Sequence, residues 1–166
     1  MRRFIVPLLL LLTLAGAALG WQSRTPPQVS RGTARPFAVR TLDGRTLRLD
    51  ELRGRPVILD FWATWCAPCR ASMPHLSAMQ GRYGTRGLVV VGLSVDDGTP
   101  QTVRRFAERL HLRFPVAMAS EAMLDDYGPV RSIPTTIFID RRGRIVRRVT
   151  GYVDEETLEG FVREIL

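Results

Sequence analysis

The chain has 166 residues, 45% of them hydrophobic and 24% charged, and a net charge of +8. That length suits one domain around a single core, with the composition of a globular protein. Two cysteines exclude a disulfide-stapled scaffold. No basic stripe interleaved with aromatics marks a nucleic-acid surface, so nucleic acid is not an expected partner.

The positive charge is carried by arginine alone, with a local cluster at Arg141, Arg142, Arg144, Arg147 and Arg148. It reads as a solvated basic face, with attraction to an anionic membrane surface as a minor use.

Arg2 and Arg3 precede an apolar run from Phe4 to Leu19, and Ala18-Leu19-Gly20 has the small-x-small pattern of a cleavage site. Residues 1–20 are therefore expected to be an export signal or signal anchor. The run is longer than a usual signal core and just short of a usual membrane span, which favours an uncleaved anchor. Residues from about Trp21 onward are then extracytoplasmic, on the periplasmic side, where thiol and disulfide chemistry is available. Residues 21–35, with Pro26 and Pro27, read as a linker. Residues 36–166 are the expected domain.

In that domain Asp43-Gly44 lies between two short alternating runs and predicts a hairpin. Residues 56–63 form a near-continuous apolar run, expected as a central strand buried on both faces. A helix is expected from about Cys66 to Tyr83, with Pro68 in its first turn and a kink at Pro74. Residues 87–95 predict a second buried strand. Thr99-Pro100 reads as a cap and first helical residue, followed by Val103, Phe106 and Leu110 at helical spacing. The stretch Ala117–Gly128 predicts a short helix ended by Gly128. Two strands joined by Arg141-Arg142-Gly143 follow. Asp154 caps a last helix whose apolar face is Leu158, Phe161, Val162 and Ile165. The expected class is α/β, a mixed sheet flanked by helices with an N-terminal β-hairpin.

Cys66 and Cys69 are the only cysteines. Two thiols so close can form a structural disulfide, half a metal site, or a redox pair. A loop of two intervening residues restricts the unfolded chain little, which weakens the structural reading. A zinc site needs about four ligands, and His75 and His111 do not stand in the required spacing. No metal is expected, although soft thiolates suit Cu(I). Cys66 falls where a strand ends and a helix begins. The amides and dipole at a helix N-terminus favour its thiolate, the nucleophile of disulfide exchange. Cys69, one turn on, can reach back to close a small ring. Cys66 is thus the attacking residue and Cys69 the resolving one. No dissociable cofactor is expected.

Asp60, Phe61, Trp62, Ala63, Trp65, Cys66, Pro68 and Cys69, followed far downstream by Ile133-Pro134-Thr135, resemble the thioredoxin superfamily. The resemblance covers about residues 35–166. It implies a thioredoxin-like sheet and a cis peptide before Pro134. It also implies a substrate site that includes Trp65, Ala67, Pro68, Ile133 and Pro134. The export segment, the N-terminal hairpin, the "VVGLSVDD" strand end and an inserted helix between 100 and 111 resemble the membrane-tethered TlpA-like and ResA-like thiol–disulfide oxidoreductases. Members of that branch reduce protein disulfides outside the cytoplasm. Several keep apocytochrome c thiols reduced, and they draw electrons from a membrane thiol–disulfide donor. This chain departs from ResA-like proteins at Ser72, where those carry Glu. Asp60 matches the buried acid of classical thioredoxins, and a carboxyl behind the pair can exchange a proton with Cys69.

The dipeptide Ala67-Pro68 holds no cation to stabilise the Cys66 thiolate further. A less stabilised thiolate makes a less oxidising disulfide, so a reductase is favoured. The alternatives are a thiol peroxidase and a copper carrier of the same fold. The peroxidase pattern needs Thr and Pro where Ala63 and Leu59 stand, and copper carriers use three residues between cysteines.

Overall fold

The computed structural model describes residues 32–127 and 130–166. The expected export segment, residues 21–31 of the linker, and Gly128 lie outside the described residues. Among the described residues no helix is long and apolar enough to cross a membrane.

The elements in chain order are β1 (Gly32–Thr33), β2 (Ala38–Arg40), β3 (Thr46–Arg48), a 3-10 turn (Asp50–Leu52), β4 (Val57–Trp62), α1 (Ala67–Tyr83), β5 (Val89–Ser94), α2 (Pro100–Arg109), β6 (Val116–Met118), α3 (Glu121–Asp126), β7 (Thr135–Ile139), β8 (Arg144–Thr150) and α4 (Glu155–Ile165). Six strands form one sheet in the order β1-β8-β7-β4-β5-β6, and β2 and β3 form a separate hairpin. Strands β4, β5 and β6 run parallel, while β7 is antiparallel to β4 and β8 to β7. This is the mixed α/β sheet expected.

Every residue of β4 and β5 is buried. Alternation along β4 sends Ile58 and Trp62 to one face and Val57, Leu59 and Phe61 to the other. The first face packs on Met73, Leu76 and Met79 of α1, Val103 of α2, and Leu158, Val162 and Ile165 of α4. The second is covered by Val39 of the hairpin, Leu52 of the 3-10 turn, and Met123 of α3. Helices therefore lie on both faces, three longer ones on one and a single short one on the other.

Asp154 caps α4 by accepting from the Thr157 amide at 2.9 Å. The hairpin turn uses Gly44 at φ 90°, a left-handed conformation that glycine adopts freely.

Four expectations change. Residues 116–118, partly inside the stretch expected to be helical, form edge strand β6, paired in parallel with β5. Three residues carry no usable periodicity, and pairing with β5 decides their state. Gly32 and Thr33, expected as linker, pair with Ile145 and Arg144, and Ala34 is buried, so the domain begins before residue 36. Thr99 sits at the N-cap of α2, but its side chain makes no cap bond and its hydroxyl meets that of Thr102 instead. Leu110 lies just past α2 and is exposed, leaving Val103 and Phe106 to make the helix contact.

Candidate active site

Strand β4 delivers the chain to the turn Ala63–Cys66, and Cys66 is the N-cap of α1. Pro68 sits in the first turn, where a missing N–H costs nothing. The helix continues through Pro74 to Tyr83. Cys66 and Cys69 are joined in a disulfide with Cα atoms 5.3 Å apart. The Cys69 amide donates to Cys66 Sγ at 3.2 Å. On reduction this amide and the helix N-terminus favour negative charge on that sulfur. Cys66 keeps 5% exposure and Cys69 has none, so only Cys66 is within reach of a partner.

Asp60 lies on the face of β4 that α1 covers, two residues from Trp62, and is buried. Its strand partner across β7 is Thr136. The Thr136 hydroxyl donates to Asp60 Oδ1 at 2.8 Å. Oδ2 is buried without a partner among the described residues. Burial pushes the Asp60 carboxyl up to about 7, against the opposing pull of the Thr136 bond. A carboxyl that changes charge near neutrality can take or return a proton under working conditions.

The Ile133–Pro134 peptide is cis. Pro134 precedes β7, and because Phe61 pairs with Thr135, it stands at the end of the sheet from which β4 leads to Cys66. The Pro134 carbonyl accepts from the Gly151 amide at 2.8 Å. Trp65 is 68% exposed, and Ala67 and Pro68 are also exposed beside the disulfide. Ile133 is half-buried between the two cores. The fold thus brings the two distant stretches to one end of the sheet. Ser72 is buried and donates to the Pro68 carbonyl at 3.2 Å. His75 meets the Tyr152 hydroxyl at 3.2 Å and Glu155 at 3.4 Å. Among the described residues no three His, Cys, Asp or Glu side chains group as a metal site.

The profile of the AhpC/TSA family matches residues 31–148. The chain belongs to this family. It is 35% identical over 130 residues to the thiol–disulfide oxidoreductase ResA of Bacillus anthracis, covering 78% of this chain and 74% of that one. ResA of Halalkalibacterium halodurans is 34% identical over 163 residues, 93% of this chain and 91% of its own. A thiol:disulfide interchange protein from Chlorobium tepidum superposes with a TM-score of 0.75 at 26% identity, over 86% of this chain and 99% of that one. Within the AhpC/TSA family this is a thiol–disulfide oxidoreductase with a thioredoxin-like fold and a Cys66–Cys69 disulfide.

Around the disulfide of this family member stand polar residues that sequence reasoning did not single out. Asp96, past the end of β5, accepts from the Thr64 amide at 3.0 Å, the Thr64 hydroxyl at 2.6 Å and the Ser94 hydroxyl at 2.7 Å. These bonds fasten the turn before Cys66 to the neighbouring strand. In the sequence the stretch "VVGLSVDD" marks the branch but shows no partner for Asp96, and Thr136 reads as a strand residue with no sign of its own. Both partnerships depend on strand neighbours far apart in sequence.

Proposed function

We propose that the protein is an extracytoplasmic reductase of protein disulfides. The observation that carries this is the division of labour at the disulfide. One cysteine keeps a little exposure at a helix N-terminus, the other is fully buried, and a carboxyl with a spare oxygen is buried on the sheet face that α1 covers.

In the reduced protein the Cys66 thiolate attacks one sulfur of a substrate disulfide. The substrate S–S bond breaks, a Cys66–substrate disulfide forms, and the leaving thiolate takes a proton. Asp60 accepts the proton of the Cys69 thiol, and the Cys69 thiolate attacks Cys66 Sγ. The mixed disulfide breaks, the second substrate thiolate leaves and is protonated, and the Cys66–Cys69 bond forms. Two electrons pass from the protein pair to the substrate. Trp65, Ala67, Pro68, Ile133 and Pro134 line the approach and bind the substrate segment. The pair itself is the redox group, with no dissociable cofactor and no metal. Ala67-Pro68 leaves the thiolate without an added cation, which supports the reducing direction.

Residues 1–20 act as the export signal and hold the chain at the inner membrane, with residues 21–31 as the linker. A membrane thiol–disulfide donor returns the electrons, and apocytochrome c is a candidate substrate.

Cys69→Ala tests this reading. The variant should accumulate proteins linked to Cys66 that dithiothreitol releases, and the Cys66→Ala, Cys69→Ala double variant should hold none. Equilibration with glutathione should give a potential of about −250 mV or lower, whereas a value near −120 mV would mark an oxidase. Absence of any trapped adduct and of any measurable potential would sink the proposal.

A further inference from the structure

The end of the sheet opposite the disulfide is an arginine pole. Three loops meet there: the one before β4, the one before β5, and the β7–β8 turn. The Gly54 amide donates to the Arg141 carbonyl at 3.1 Å, and the Arg141 guanidinium donates to the Gly54, Arg86 and Leu166 backbone oxygens at 2.7–3.0 Å. Arg55 Nε donates to the Gly87 carbonyl at 3.0 Å. Arg53, Arg55, Arg86, Arg141 and Arg142 are all exposed, and among the described residues Arg53, Arg55, Arg86 and Arg142 have no ion pair with a side-chain carboxylate. The nearby acids are already engaged, Asp50 and Glu51 by Arg48 and Asp140 by Arg144.

The described chain also begins near this pole and runs toward it, antiparallel to β8. Gly32 and Thr33 pair with the first residues of β8, and the Ala34 amide donates to the Gly143 carbonyl at 2.8 Å. The apolar run of residues 4–19 therefore joins the domain, through a short linker, beside the unpaired arginines. A tether here keeps the domain within roughly 40 Å of the surface that holds it, and the arginines then decide which end turns toward that surface.

We propose that this pole docks on anionic phospholipid, with Arg53, Arg55, Arg86 and Arg142 facing the headgroups and the disulfide facing away from the bilayer. The inference rests on the reading of residues 1–20 as a membrane tether. Arg141 is a staple between loops. Anionic headgroups attract basic residues within about a Debye length, roughly 8 Å at physiological ionic strength. The six residues of β4 put about 17 Å between the pole and the disulfide end, so a docked domain keeps Cys66 clear of the membrane.

The test uses the full chain reconstituted into vesicles of phosphatidylcholine, and into matched vesicles in which part of that lipid is phosphatidylglycerol. Amide hydrogen exchange in residues 53–55, 84–87 and 141–143 should slow by about tenfold on the anionic vesicles alone, as the attraction of several arginines implies. High salt should abolish the protection, and so should Arg53→Gln, Arg86→Gln and Arg142→Gln together, with reduction of a small disulfide unchanged. Equal exchange on both vesicle types at low salt overturns the docking. Protection by an acidic polypeptide but not by anionic vesicles assigns the pole to another partner and also overturns it. A chain that fails to float with phosphatidylcholine vesicles refutes the tether instead. The comparison of free and phosphatidylglycerol-bound protein then still decides the docking.

Discussion

Asp60 is the residue on which pH acts most directly. Its carboxyl titrates near 7 in the folded protein against an ordinary value of 3.8. Between those values the unfolded chain has released the proton and the folded chain has kept it. Stability therefore falls as pH rises through that window and levels off above the folded value. Three pH units at about 1.4 kcal/mol each put the loss near 4 kcal/mol. Asp60→Asn should remove this dependence, so urea denaturation between pH 4 and 8 should give the variant a flatter profile than the wild type. The same substitution should slow decay of the Cys66 mixed disulfide by about 10²-fold, because Asn cannot take the Cys69 proton. Stopped-flow quenching of a preformed adduct measures that rate. Cys66 and Cys69 were legible in the sequence because a CxxC stands where an apolar strand meets a helix start, and Asp60 was legible through its match to the buried acid of thioredoxins. Thr136 and Asp96 were not, since a hydroxyl or a carboxylate in a strand end shows no partner until the sheet order is known.

At the scale of elements, burial of Trp62 depends on room for its ring over β5. Gly92, in the middle of β5, leaves that room. A Cβ there would stand 3.0 Å from both Trp62 Nε1 and Phe114 Cε2, tighter than ordinary packing. Trp62 also stacks at 5.6 Å on Phe106 of α2, so it has little room to retreat. Gly92→Ala should cost about 1–3 kcal/mol by overpacking, seen as a lower denaturation midpoint with an unchanged m-value. A neutral effect would mean that α2 moves freely away from the sheet. Long, strongly patterned elements such as β4, α1 and α4 were readable from apolar spacing and caps. The strand β6 was not, because its three residues are set by hydrogen bonds to β5 and by the bridge between Thr41 and Ala117.

For the whole molecule, the first strand ties the chain entry to the sheet. Beginning the chain at residue 36 would remove the β1–β8 pairing, the Ala34–Gly143 bond and the buried Ala34 methyl. It would also remove the Arg35 carbonyl that accepts from the buried Tyr127 hydroxyl at 2.6 Å. One methyl group and three or so hydrogen bonds are worth about 4 kcal/mol. A chain begun at residue 36 should unfold that much more readily in urea than the full chain, and equal stability would place the domain boundary where composition alone puts it. The sequence by itself determined the redox pair, the roles open to its two sulfurs and the class of fold. These are local patterns, written in spacing and in the junction of an apolar strand with a helix N-terminus. Only the tertiary structure decided which residues hold the site, where the domain starts and where the unpaired arginines gather. Strand order and loop meetings join residues from 32 positions apart, as with Thr64 and Asp96, to 113 apart, as with Gly32 and Ile145, and no local pattern encodes which of them become neighbours.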